Sequence, residues 1–112
     1  LVYPVISFSD PSTHSGSKKA LLGDEPDAAR VAYFSNELQV SENTPPTILF
    51  HAADDKAGPP QNSLLFFKAL NQKGVPAELH IYPEGGHGFS LATKDQSLSR
   101  WTQHLYEWTL QF

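Results

Sequence analysis

Apolar residues along the chain fall into three short runs and one helical stripe. Residues 2–7 (Val-Tyr-Pro-Val-Ile-Ser) are rich in β-branched and aromatic side chains, which predicts a strand buried on both faces. Residues 8–24 carry Ser, Asp, Pro, Thr and Gly and predict a long loop, with a short helix over 18–22 closed by Gly23. Asp24-Glu25-Pro26 predicts a helix start: an N-cap acid, then a proline in the first turn, where its missing N–H costs nothing. That helix is expected to run to Phe34 and to end at Ser35-Asn36. Thr47–Ala52 is nearly all apolar and predicts the second strand. Residues 62–73 form an amphipathic helical pattern, with Lys73 near the negative helix end and Gly74 just beyond it. Ala77–Tyr82 predicts the third strand, half exposed because Glu78 and His80 alternate with Leu79 and Ile81. Leu98, Trp101, Leu105, Trp108 and Phe112 then recur at spacings of three and four. They predict a closing helix that starts near 95–97 and lays one apolar stripe on the sheet.

The order is strand, short helices, strand, helix, strand, helix. Strands separated by helices imply an α/β fold with parallel pairing. With 112 residues, one domain is expected. No repeat or low-complexity tract divides it.

Charge narrows the partners. The chain carries 8 Lys and Arg against 12 Asp and Glu, for a net charge of −4. Its one basic pair is Lys18-Lys19, so the clustered positive surface that nucleic acid or an anionic membrane requires is absent. No apolar run approaches the about 18 residues of a membrane span. Without cysteine there is no disulfide, thiolate nucleophile or Cys-ligated zinc. The compartment stays open. Residues 1–6 show no charged leader or cleavage pattern, and the chain has no methionine. It opens directly in a strand-like run, so the expectation is an N-terminal truncation or a processed product, with any targeting signal upstream.

Two strands run straight into loops that carry candidate chemistry. The strand at 47–52 leads into Asp54-Asp55-Lys56, and the strand at 77–82 leads into Gly85-Gly86-His87-Gly88. Both loops belong to the C-terminal edge of a parallel sheet, where open α/β folds bind ligands. A histidine base needs a carboxylate to fix its tautomer and stabilise its imidazolium. An acid followed by a histidine at successive strand ends is the second half of the Ser, Asp, His chain order of α/β-hydrolases. The first half is missing: no Gly-x-Ser-x-Gly occurs, and Ser7, Ser9, Ser15 and Ser17 lack the flanking glycines of a nucleophile elbow. Either Asp54 or Asp55 fits the acid by position. A metal site built from His51, Asp54, Asp55, His80 and His87 is the competing chemistry, but no two of them stand at a sharp ligand spacing. No metal is therefore expected. His51 reads as a packed, hydrogen-bonded histidine, and His14 and His104 as surface residues.

Residues 46–90 resemble the C-terminal part of the α/β-hydrolase esterases, in particular the carbohydrate esterases that include acetyl-xylan and feruloyl esterase-like proteins. Pro46-Thr-Ile-Leu-Phe-His51, Asp54-Asp55 with Pro59, Asn62-Ser63-Leu64, the stretch from Gly74 to Tyr82 and Gly85-Gly-His-Gly-Phe89 carry the resemblance. The Tyr3-Pro4-Val5-Ile6-Ser7 run, the segment from Tyr33 to Glu37 and Trp101 extend it over nearly the whole chain. It implies the C-terminal portion of an α/β-hydrolase fold, three parallel strands with flanking helices, forming one partial domain over residues 1–112. It assigns the acid to Asp55, through the family's Asp-x-x-Val-Pro turn, and the base to His87, and it leaves Asp54 to help shape the turn. Gly58 stands where valine is usual and loosens that turn. The nucleophilic serine and the oxyanion loop are expected upstream of Leu1. The implied activity is serine-dependent hydrolysis of an acetylated or acylated carbohydrate, without a cofactor. A prolyl-peptidase-like hydrolase shares both motifs, and a non-catalytic, self-associating remnant is the reading from another class. Without its nucleophile half, the chain is expected to need that half as a partner or to form a homo-oligomer.

Overall fold

β1 (Thr47–Ala52) and β2 (Ala77–Tyr82) pair in parallel, with Thr47 opposite Ala77 and Ala52 opposite Tyr82. The computed structural model describes residues 1–112. The remaining elements are α1 (Ser15–Leu22), α2 (Ala28–Tyr33), α3 (Gln61–Gln72) and α4 (Trp101–Thr109). Short 3-10 turns at Asn36–Leu38 and Leu98–Arg100 lead towards β1 and into α4. β1, α3 and β2 make a βαβ unit, and these two of the three expected strands have the predicted bounds.

The sheet is the middle of three layers. On one side Leu49 packs with Leu70 of α3, Val75 and Val40. On the other, Ile48, Phe50, Tyr82 and Leu98 form a second cluster covered by Trp101, Leu105 and Trp108. β1 therefore has no solvent face, and Leu49 and Phe50 are fully buried. This is why its sequence is continuously apolar rather than alternating. The stripe of the closing helix packs as expected up to Trp108. Phe112 lies beyond the helix end and is 66% exposed, touching only the Trp108 ring among the aromatic pairs.

The segment expected as a first strand contributes a single bridge, Val2 to Phe50. The sheet has two strands rather than three. Leu1 and Tyr3 share the hydrogen bonds around Phe50, and then Tyr3 takes φ 39° and Pro4 follows without an N–H. A proline inside an apolar run demotes it from a regular strand, and here the chain leaves the sheet at that point. The run is not buried on both faces either: Val2 to Val5 are partly exposed, and only Ile6 and Ser7 are buried. Side chains take over where the ladder stops. Asn62 Oδ1 accepts from the backbone N–H groups of Ile6 and Ser7, and Ser35 Oγ accepts from that of Phe8.

The helix expected from Asp24 begins three residues later. Asp27, not Asp24, is its cap, accepting from Arg30 N at 2.9 Å. Pro26 thus precedes the cap, while Asp24 pairs with Lys19 on the surface. The first helix is longer than expected, because His14 Nδ1 accepts from Ser17 N and caps it at its start.

Candidate active site

Asp55 lies in the loop that leaves β1, and His87 in the loop that leaves β2. The parallel register brings both to one edge of the sheet. Asp55 Oδ2 and His87 Nδ1 are 2.8 Å apart. The Asp55 side chain is fully buried, while the His87 side chain is 44% exposed. His87 Nε2 has no hydrogen-bond partner within the chain. An imidazole held by a buried carboxylate through Nδ1, with Nε2 open, is arranged to take up and return a proton at Nε2.

Four donors converge on Asp55. Oδ1 accepts from the backbone N–H groups of Ala57 at 3.0 Å and Gly58 at 2.9 Å. Oδ2 accepts from His87 Nδ1, and from His51 Nε2 at 3.2 Å. Burial alone would push the carboxyl upward. The Gly58 N–H, the hydrogen bond and charge of His87, and the Ala57 N–H outweigh it and hold Asp55 below the usual carboxylate range.

Asp54 serves the other loop. Its Oδ1 accepts from the Gly86 N–H at 2.8 Å, which ties the acid loop to the histidine loop. The expected turn-shaping role is therefore exercised across the site rather than on its own turn. Gly85 lets the histidine loop pass close to the sheet: a Cβ there would lie 2.8 Å from Leu98 Cδ2 and 3.2 Å from Ala52 Cβ. Gly86 turns at φ 61° directly before His87. Beyond it, Trp101 Nε1 donates to Ser90 O at 2.9 Å and fastens the loop to α4.

Three side chains that sequence reasoning did not place in the site belong to it. The Tyr3 ring stands edge-on to His87 at 5.2 Å and to Phe89 at 4.9 Å. His51, expected as a packed histidine, reaches Asp55, and its Nδ1 meets Ser63 Oγ at 2.7 Å. The signal for His51 was its position at the end of a buried strand, four residues before the acid. Of the candidate metal ligands, His51, Asp55 and His87 meet through hydrogen bonds at Asp55 Oδ2, and no three His, Asp or Glu side chains form a group that could hold a metal ion. His80 lies on the α4 side, stacked between Phe50 and His104. His104 is thus partly buried against the sheet rather than a free surface residue. His14 is the α1 cap.

No serine hydrogen-bonds to His87. Ser7 and Ser9 are joined to Glu37, and Ser17 to His14.

The family model of the prolyl oligopeptidase family matches residues 12–112. The chain belongs to the prolyl oligopeptidase family. An endo-1,4-β-xylanase B from Butyrivibrio fibrisolvens is 39% identical over 102 residues, which is 91% of this chain and 16% of that protein. An acetylxylan esterase from Xylanibacter ruminicola is 33% identical over 112 residues, covering 96% of this chain and 23% of its own length. Among solved structures, an acetyl ester-xyloside bifunctional hydrolase from Caldicellulosiruptor lactoaceticus superposes with a TM-score of 0.92 at 49% identity. That match covers 96% of this chain and 39% of the hydrolase. The fold is a portion of the α/β-hydrolase fold. This chain spans about a fifth of the length of the curated relatives it matches.

Proposed function

We propose that residues 1–112 supply the acid and the base of a serine carboxylic-ester hydrolase acting on an acylated carbohydrate. Asp55 is the acid and His87 the base. The observation that carries this reading is the 2.8 Å contact between buried Asp55 and half-exposed His87, with Nε2 left open. Serine and oxyanion donors come from polypeptide outside these residues, since no Gly-x-Ser-x-Gly stands within them. In the reaction, the serine oxygen attacks the acyl carbonyl and His87 Nε2 takes its proton. The proton then passes to the departing sugar hydroxyl, and Asp55 holds the imidazolium through Nδ1. Water, activated by the same Nε2, releases the acid from the acyl-enzyme.

The carbohydrate ester class is supported by the names of the relatives, an acetylxylan esterase and an acetyl ester-xyloside hydrolase. The family description names an oligopeptidase, so peptide cleavage is the second reading. A chimera separates the two. Residues 1–112 replace the matching region of the Caldicellulosiruptor hydrolase, and the product is assayed on acetylated xylan and on a proline-containing peptide. Release of acetate with no peptide cleavage is the expected result. A chimera that cleaves the peptide and leaves the ester would overturn the assignment.

A further inference from the structure

His51 is the one fully buried histidine, and the reaction above gives it no step. Its two ring nitrogens face different chemistry. Nε2 lies 2.6 Å from the Gly58 carbonyl oxygen and 3.2 Å from Asp55 Oδ2. Both partners are acceptors, so Nε2 must carry hydrogen and donates to both. Nδ1 lies 2.7 Å from Ser63 Oγ. In the neutral ring Nδ1 has a lone pair, and the Ser63 hydroxyl donates to it. Ser63 stands near the start of α3 and is fully buried.

Ser63, His51 and Asp55 have the composition of a hydrolytic triad. Ser63 is nevertheless closed to any substrate, and its partner is Nδ1, with Nε2 turned to the acid loop. The arrangement therefore holds groups in place rather than attacking anything. Gly58 is the point it acts on. The Gly58 N–H donates to Asp55 Oδ1 at 2.9 Å while its carbonyl accepts from His51. Both sides of one glycine are thus committed, and the turn it belongs to carries no side chain at that position to fix it by packing.

We propose that His51 is a positioning residue for the acid–base pair. Held by the Ser63 hydroxyl, it donates from Nε2 to Gly58 O and Asp55 Oδ2, and so fixes the turn at 55–58 with Oδ2 aimed at His87 Nδ1. This links α3 to the site through hydrogen bonds. It rests on the reading of Asp55 and His87 as acid and base. The longer bond to Asp55 suits the role, because it steadies Oδ2 while leaving that oxygen to His87 at 2.8 Å.

Histidine-15N nuclear magnetic resonance on the 112-residue chain tests this at pH 7. The wild-type chain is expected to show His51 as the Nε2–H tautomer and a slowly exchanging His87 Nδ1–H. Asp55→Asn should abolish that His87 signal, which tests the acid–base reading alone. His51→Gln keeps a donor near the Nε2 position and should keep the His87 signal. His51→Asn is one methylene shorter and should speed the exchange of His87 Nδ1–H at least about tenfold, the loss of one hydrogen bond to a charged group. Ser63→Ala should shift the His51 tautomer ratio, since Nδ1 loses its donor. A wild-type chain with no held His87 Nδ1–H sinks the acid–base reading, and the proposal with it. A held His87 signal that ignores His51→Asn sinks the proposal only. Should His51→Asn fail to fold, the wild-type tautomer decides: His51 found as Nδ1–H overturns the proposal.

Discussion

Asp55 stays ionised inside the protein because four N–H donors converge on it, and that ties its charge to stability. Its folded pKa lies below the value of about 3.9 for a free Asp. The folded state therefore gains from ionised Asp55 at every pH above that value. The gain disappears as pH falls through the folded pKa. The stability difference between the wild-type chain and Asp55→Asn should accordingly be largest near neutrality and shrink as the solution is acidified below about pH 4. Urea titrations at a series of pH values would show it, and a difference constant down to pH 3 would contradict it. Gly58 offers a second test. A Cβ there would sit 3.4 Å from His87 Cε1 and 3.5 Å from His87 Nδ1, an ordinary contact, and its φ is not in the left-handed region. Gly58→Ala should stabilise the chain by about 0.4–1 kcal/mol by restricting the unfolded state. A lowered melting midpoint would show that the turn needs glycine for its backbone. At this scale the sequence pointed to His87 and to an acid at Asp54 or Asp55 because strand ends announce themselves by pattern, and the resemblance chose Asp55. It pointed to Asp54 as a turn residue but not to Gly86 as its partner. Ser63 and Tyr3 were out of reach for the same reason: their contacts join segments far apart in the chain, and local pattern does not encode them.

β1 follows from composition because burial on both sides selects β-branched and aromatic residues, β2 from the alternation of a half-exposed strand, and α3 from its apolar face and the Gly74 that ends it cleanly. The N-terminal run has the same composition and a different outcome, decided by Tyr3 and Pro4. The same holds for α2, where two acids compete for one cap and the pattern does not choose between Asp24 and Asp27. The loop between β2 and α4 shows how tightly the elements constrain the site. Gly85 passes so close to Leu98 and Ala52 that a methyl group must displace one of them, and its φ of 155° suits glycine. Gly85→Ala is expected to destabilise the chain by about 1–3 kcal/mol, as overpacking in a filled core does. It should also disturb His87, two residues on. An unchanged denaturation midpoint would mean that Leu98 yields without cost.

The whole molecule is thin. It measures 43 × 31 × 17 Å, and its radius of gyration is 14.7 Å, against about 13 Å for a compact domain of this length. A two-stranded parallel sheet is a small base for a fold, since parallel sheets are stable when covered and extended. Tyr33, Leu38, Leu91, Leu110 and Phe112 are all more than half exposed. Such a shape favours association. The purified chain is expected to dimerise or to dock on a nucleophile-bearing partner. Sedimentation at micromolar concentration checks this, and a monomer with a cooperative melt would contradict it. Alone, the chain should not hydrolyse an aryl acetate beyond the background of a free histidine, because no serine hydrogen-bonds to His87 and no Gly-x-Ser-x-Gly supplies one. The central claim concerns His87 and is tested most directly in the chimera with the Caldicellulosiruptor hydrolase, by comparing kcat/KM on an aryl acetate with and without His87→Ala. A loss of about 10⁴-fold or more, the scale of a missing triad member, is the predicted result. A chimera that retains its activity after His87→Ala would show that the base lies elsewhere.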